Sequence, residues 1–374
     1  MIAGLRGKIA TAVRARYSAS MATTPERDET DAATPLREAW YYAAPGRALR
    51  RGQTVSRMML GEPVLIGRDR DGAVFALRDI CPHRGMPLSE GRFDGSEVEC
   101  CYHGWRFTTA GRCTAIPSLV AGQQLDLAQV TVAAYPAVEA QGNIWVYFGS
   151  DPATAPPVPQ LDEFGDGAVP LLVETVRFAA AIDHAVVGLM DPAHGPFVHR
   201  AWWWRGAHSA HEKAKEFVPN DWGFAMSRHA PSSNSRAYRL LLGRDVETEI
   251  AFRLPSVRIE QIRAGRFRVG NLTSITPIDD RSTEINHCIY WNAPWLSALK
   301  PLLRPYVRAF LHQDGAIMAR QQKGLRFDPV LSLIDDADTQ ARWYYQLKRE
   351  YRRARAENRP FANPVKPRTL RWRS

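Results

Sequence analysis

Between Trp40 and Phe148 the apolar positions fall in short runs separated by turn residues. Pro63-Val-Leu-Ile-Gly67, Gly72-Ala-Val-Phe-Ala-Leu77 and Gly142-Asn-Ile-Trp-Val-Tyr-Phe148 have strand length, and Asp71-Gly72 has hairpin-turn chemistry. This stretch predicts a small all-β domain. A Pro-rich segment from Asp151 to Pro159 reads as a linker. Beyond it, Ala179 to Met190 is apolar enough for a helix, which Asp191-Pro192 stops. Residues 246–293 alternate as antiparallel strands do, as in Glu249-Ile-Ala-Phe-Arg-Leu254 and Phe267-Arg-Val269. Two further helices are predicted, over Pro305–Gln322 and Asp336–Arg355. No internal repeat is present. The pattern after the linker is that of an α+β domain, an antiparallel sheet packed with helices.

Composition narrows the class. At 374 residues the chain can build two cores, and 45% hydrophobic with 24% charged residues is ordinary for a soluble globular protein. Five cysteines, an odd number in a long chain, do not form a disulfide scaffold and point to a reducing cytoplasm. No apolar run reaches transmembrane length. The net charge of +10 raises the question of nucleic acid, but the arginines are scattered and no recognition module accompanies them. The one denser run, Lys348-Arg349 with Arg352-Arg353, is either a surface for an acidic electron carrier or a solvated helix face. The first twenty residues carry Arg6, Lys8, Arg14 and Arg16 and no acid. They have the composition of a presequence, or precede a true start at Met21; residues 1–37 are a basic extension outside the fold.

Two short segments carry the chemistry. Cys81-Pro82-His83 and Cys100-Cys101-Tyr102-His103 each set a thiolate beside an imidazole. Such a set can hold a two-iron cluster, Cys81 and Cys100 on one iron and His83 and His103 on the other, or a structural zinc ion. Gly85, Gly91, Gly95 and Gly104 let the flanking loops bend around a metal. From the residues alone, either Cys100 or Cys101 could be the ligand. In the second segment, Asp191-Pro-Ala-His194-Gly-Pro-Phe-Val-His199, Asp191 and His194 would share a helix face, and Gly195-Pro196 would break the helix and return His199. Two imidazoles and a later carboxylate form a facial triad with open positions on Fe(II). Asp314, in Leu311-His-Gln-Asp314-Gly-Ala-Ile-Met-Ala-Arg-Gln-Gln322, is the chosen carboxylate; turn chemistry explains Asp279, Asp280 and Asp328 better.

Cys81-Pro-His-Arg-Gly-Met-Pro-Leu-Ser and Cys100-Cys-Tyr-His-Gly-Trp-Arg-Phe closely resemble the Rieske domain of the Rieske non-haem iron oxygenases. The spacing from Asp191 to His199 is similar to their mononuclear iron motif, and the Asp314 segment resembles their demethylase and pheophorbide-oxygenase-like branch. The resemblance implies an all-β Rieske domain over 38–150 and a helix-grip-like catalytic domain over 151–374. It implies one [2Fe-2S] cluster on Cys81, His83, Cys100 and His103, the thiolate standing three residues before the second His. It implies one Fe(II) on His194, His199 and Asp314. Asp191 would be no ligand; it would join His194 to His103 of the partner subunit, in a homotrimer. Gly188 stands where the family often has Asn, and Gln313 where Glu is common.

The chain has no Gly-rich dinucleotide fingerprint and no plant-type ferredoxin spacing, so electrons would come from NAD(P)H through a separate ferredoxin or flavin reductase. The implied activity is hydroxylation or oxidative demethylation, with dioxygen, of a bulky apolar aromatic, steroid-like or tetrapyrrole substrate. The competing reading is an electron-transfer Rieske protein. Its respiratory type carries an extra disulfide where this chain has Met86 and Tyr102, and lacks the two-His site. A third is a regulatory protein that kept the fold without turnover. His184, His208 and His211 read as surface or capping residues, and Trp202-Trp203-Trp204 as substrate pocket or core.

Overall fold

The computed structural model describes residues 34–374 apart from 150, 152, 154, 200–210, 231–241 and 244. Trp202-Trp203-Trp204 and His208 lie outside the described residues. Strands Gln53–Met59, Glu62–Arg68, Val74–Arg78 and Ala134–Tyr135 form one antiparallel sheet. Arg92–Phe93, Glu97–Glu99, Arg106–Thr108 and Cys113–Ala115 form a second, small one. A third sheet has Asn143–Phe148 at its centre, between Ala39–Pro45 and Ala137–Ala140. Gly72 takes φ +100° in the turn joining Glu62–Arg68 to Val74–Arg78, a conformation glycine adopts without cost.

The third sheet is buried on both faces. Ala39, Tyr41, Ala43, Ile144, Val146 and Phe148 pack against Val64, Ile66 and Ala76 of the first sheet. Trp40, Tyr42, Trp145 and Tyr147 point the other way, against Leu272, Cys288 and Tyr290. This is why Trp40-Tyr-Tyr-Ala-Ala44 and Ile144-Trp-Val-Tyr-Phe148 are unbroken apolar runs without the alternation of a half-exposed strand.

Those last three partners belong to an eight-stranded antiparallel sheet, ordered Leu172–Phe178, Thr283–Trp291, Phe267–Pro277, Val257–Ala264, Val246–Arg253, Gly223–His229, Glu212–Asn220 and Arg368–Arg373. Its other face carries Val176, Phe178, Phe224, Phe252 and Ile285 into the largest core, which helices cover. These are α1 (Ile182–Met190), the single turn α2 (Gly195–Val198), α3 (Pro294–Leu325) and α4 (Thr339–Ala356). The result is the expected α+β organisation, with a β domain followed by a helix-covered sheet. Among the described residues no helix is long and apolar enough to cross a membrane.

Two helix starts and the Pro-rich segment differ from the sequence expectation. Helix α3 starts at Pro294 and runs through Pro301 and Pro305. Both prolines are exposed, so the carbonyls they leave without donors lie on the solvent side and the helix continues. Helix α4 starts at Thr339 because Asp336 holds φ +59°, which no helical residue adopts. The Pro-rich segment is anchored: Trp40 Nε1 donates to the Pro156 carbonyl at 2.7 Å, and Ala155 and Val158 pack on the core shared by the third and eight-stranded sheets.

Hydrogen bonds also cross between the two halves. Thr276 Oγ1 donates to the Tyr42 carbonyl at 2.8 Å, Leu60 N to Pro277 O at 2.8 Å and Gly61 N to Ile278 O at 2.9 Å. With Trp145 fully buried at this junction, Trp145→Ala is expected to destabilise the protein by about 3–5 kcal/mol. Both halves should shift together in the denaturation profile, read by cluster absorbance and by far-ultraviolet circular dichroism; a shift confined to one half would show that the junction does not couple them.

Candidate metal centres and substrate chamber

Two loops have nearly the same backbone, one leading from the first sheet to the small sheet and the other joining two strands of the small sheet. Cys81 N donates to Met86 O at 2.7 Å and Gly85 N to Cys81 O at 2.9 Å. In the second loop Cys100 N donates to Trp105 O at 2.9 Å and Gly104 N to Cys100 O at 3.0 Å. Gly85 and Gly104 hold φ of +72° and +70° at equivalent places. This repeat brings Cys81 and Cys100, 1% and 2% exposed, together in one apolar core with Val98 and Phe107, while Cys101 is exposed. The His83 and His103 rings are 4.4 Å apart, and His83 stacks on Trp105 at 4.5 Å.

The donor set fits an iron–sulfur cluster. His83 Nδ1 is buried and has no hydrogen-bond partner, which is costly unless a metal takes its lone pair. Burial pushes the Cys81 thiol up to about 11, and bound metal would favour the thiolate.

The second group is assembled from α1, α2 and α3. Helix α1 ends at Asp191, which is extended (φ −60°, ψ 118°), so Asp191 and His194 do not share a helix face. The chain restarts at His194, whose carbonyl accepts from Phe197 N and Val198 N at 2.9 and 3.0 Å. Gly195-Pro196 therefore begins a turn instead of breaking one, Pro being tolerated in a first turn. That one turn returns His199, leaving its Nε2 3.3 Å from His194 Nε2. Asp314 Oδ1 lies 3.4 Å from His199 Nε2 and 3.7 Å from His194 Nε2. All three ligand atoms fall within 4.8 Å of one another.

Helix α3 can seat Asp314 there because Gly315 carries no side chain: a Cβ would stand 3.0 Å from Phe178 Cε1. Each ring is oriented from its far nitrogen. His194 Nδ1 donates to the Asp191 carbonyl at 2.8 Å, and His199 Nδ1 to Gln313 Oε1 at 2.9 Å, so both Nε2 lone pairs face Asp314. Phe310 stacks on His199 at 3.7 Å. Burial pushes His199 down to about 4, keeping it neutral, and pushes the Asp314 carboxyl up to about 6. A neutral His199 imidazole and a carboxyl lacking a full counter-charge suit a divalent cation, and the His₂–carboxylate set suits Fe(II).

Asp279 accepts from Arg281 N and Ser282 N in its own turn, and Asp328 holds φ +47°; neither joins the group. His211 is exposed just before the strand Glu212–Asn220.

A chamber of about 970 Å³ reaches this group, with Asp191, His194 and Asp314 in its wall. Phe178, Ile285, Leu311 and Ile317 supply apolar lining. His184 also lines it, contrary to the surface role expected, because α1 turns this side toward the chamber. The basic run lies along the same wall, and Lys348 is neither solvated nor a docking residue. It is 3% exposed, and its Nζ donates to Asp183 Oδ1 and Oδ2 at 2.6 and 2.7 Å, where Tyr344 also donates at 2.6 Å. The pair ties α4 to the start of α1.

Comparison with known proteins agrees with this arrangement. Residues 39–136 match the Rieske [2Fe-2S] domain, and residues 183–350 match the vanillate O-demethylase oxygenase C-terminal domain. The chain thus combines a Rieske [2Fe-2S] domain with an oxygenase C-terminal domain of the vanillate O-demethylase type. Dicamba O-demethylase, oxygenase component, of Stenotrophomonas maltophilia is 37% identical over 45% of this chain and 49% of its own length. Chlorophyllide a oxygenase of Chlamydomonas reinhardtii is 34% identical over 46% of this chain and 26% of its own. The matched stretch thus spans half or less of these curated relatives. In fold, the chain resembles dicamba monooxygenase bound to dicamba, with TM-score 0.69, 22% identity and coverage of 85% of this chain and 99% of that one. It also resembles Pseudomonas putida NdmA QL mutant with theobromine, with TM-score 0.68, 17% identity and coverage of 89% and 96%.

Gln313 stands where Glu is common, but its role was not legible in the sequence, because only the fold aims its amide at His199. Gln313→Leu removes that acceptor, and Fe(II) affinity is expected to fall about 10–100-fold by chelator competition, with the cluster absorbance unchanged. Unaltered affinity would show that the His199 ring is oriented without Gln313.

Proposed function

We propose that this chain is the terminal oxygenase of a Rieske-type system. It uses dioxygen and electrons from a separate ferredoxin or flavin reductase, fed by NAD(P)H, to hydroxylate or oxidatively demethylate a bulky apolar substrate. The observation that carries the reading is the convergence of His194, His199 and Asp314 at a largely apolar chamber in a chain that also holds a Rieske domain. In this reading 38–150 is the electron-receiving domain and 151–374 the catalytic one, and the protein works in the cytoplasm. Aromatic, steroid-like and tetrapyrrole compounds are the candidate substrates, and relatives named for dicamba, 4β-methylsterol and chlorophyllide a support that range.

When bound, the [2Fe-2S] cluster supplies single electrons and Fe(II) supplies open positions for dioxygen. The side chains do the rest. Cys81, Cys100, His83 and His103 hold the cluster, and His194, His199 and Asp314 hold the mononuclear iron. Gln313 and the Asp191 carbonyl keep both iron-facing imidazoles in the ligating tautomer. Phe178, Ile285, Leu311 and Ile317 exclude water and receive the apolar body of the substrate.

The electron route runs between protomers of a homotrimer. Within one chain the cluster loops and the His₂–Asp group are separated by the first sheet, the third sheet and the eight-stranded sheet. At about 10 Å per packed layer that is on the order of 30 Å, too far for direct contact. The Asp191 carboxylate, 3.7 Å from His194 Nδ1, is the acceptor assigned to His103 of the partner subunit. A purely electron-transferring Rieske protein has no use for the second domain or for its buried ligand set.

With a reductase, NADH and a turned-over aromatic substrate, Asp314→Ala and His199→Ala are each expected to abolish product formation while the reduced cluster spectrum stays intact. Retained turnover in either variant would remove the oxygenase assignment of this site.

A further inference from the structure

Gly188 sits on α1 three residues before Asp191, and its Cα faces the Met318 thioether on α3. A Cβ at residue 188 would stand 2.9 Å from Met318 Cε and 3.3 Å from Sδ. The first of these is closer than real Cβ contacts come, so the present position of Met318 depends on residue 188 having no side chain. Met318 lies one helical turn after Asp314, on the same face of α3, and Gly188, Met318 and Asp314 all line the chamber. The chamber wall beside the metal-binding group is thus a thioether laid across a glycine.

We propose that Gly188 and Met318 together set the substrate size limit of this chamber, recessing its wall so that a flat multi-ring apolar body can lie beside the metal. The proposal rests on reading the chamber as the substrate site. Met318 is 8% exposed and packs in the core that also holds Leu311, Ile285 and Phe178, so little space remains behind it. The atoms a new Cβ would meet are the far end of an unbranched, flexible side chain, so Met318 would turn while the helices stay. With α1 on one side and the core on another, the open direction is the chamber. A volume of about 970 Å³ is at the upper end for small-molecule pockets and larger than one aromatic ring needs.

The test compares pyrene with naphthalene, each titrated by fluorescence into anaerobic holoprotein, in the wild type, Gly188→Ala, Met318→Ala and the double variant. Gly188→Ala is expected to weaken pyrene about tenfold or more and naphthalene about twofold or less, as one added methyl group in an apolar pocket can do. The double variant should regain pyrene binding. Met318→Ala alone, which adds no atoms, should raise the pyrene-to-naphthalene affinity ratio above that of the wild type. Equal losses for both probes, an unchanged ratio in both single variants, no rescue in the double variant, or a wild type that binds neither probe would each overturn the proposal. The titration needs neither reductase nor dioxygen. A protein that discriminates the probes as described but never turns over would refute the oxygenase reading and leave this one standing.

Discussion

Strands Ala39–Pro45 and Asn143–Phe148 have no solvent face, and the remaining architecture is stacked on that fact. Ala39, Tyr41, Ala43, Ile144, Val146 and Phe148 enter one core, while Trp40, Tyr42, Trp145 and Tyr147 enter another. Fully burying such aromatic side chains is among the largest favourable terms a chain can obtain. Because the two cores share one sheet, neither half can move without uncovering both. The order of layers follows: cluster loops, first sheet, third sheet, eight-stranded sheet, helices. The two metal groups lie at opposite ends of that stack, which makes their separation a property of the fold and not of a hinge.

At the helical end the polar groups form an island between close-packed helices. Gly315 brings α3 onto Phe178 of the sheet, and Gly188 of α1 accepts Met318 of α3, so two residues without side chains decide how closely α3 approaches the sheet and α1. Burying a carboxylate there costs free energy, which is why the Asp314 carboxyl is pushed upward, and a divalent cation would offset that cost. Asp183 meets the same problem and solves it internally, with Lys348 and Tyr344 as its partners. One buried acid is neutralised by protein; the other stands within reach of two imidazoles in a group that could hold a metal.

Much of this was legible in the sequence because it is local. The Cys81–His83 and Cys100–His103 spacings, the Asp191–His199 segment and the alternation over 246–293 lie within single elements or loops. Asp314 was legible because its segment resembles the helix of the demethylase-like branch and Phe310, Ile317 and Gln321 stand at helical spacing around it. What was not legible depends on contacts between distant elements. The roles of Gln313, Met318 and Lys348 require α1, α3 and α4 to be in place. His184 looked like a surface residue because nothing local says which side of α1 faces the chamber. The prolines of α3 hid its first turns, since tolerance of Pro301 and Pro305 depends on their solvent exposure.

The central claim is that one chain holds two different iron centres. It is tested most directly by iron and sulfide analysis with electron paramagnetic resonance on anaerobically purified, dithionite-reduced protein. The account predicts about three irons and two sulfides per chain with a low-average-g Rieske signal. Two irons, with none recovered at His194, His199 and Asp314 after Fe(II) is added, would contradict it, and so would a zinc-loaded protein that shows no cluster signal after reconstitution.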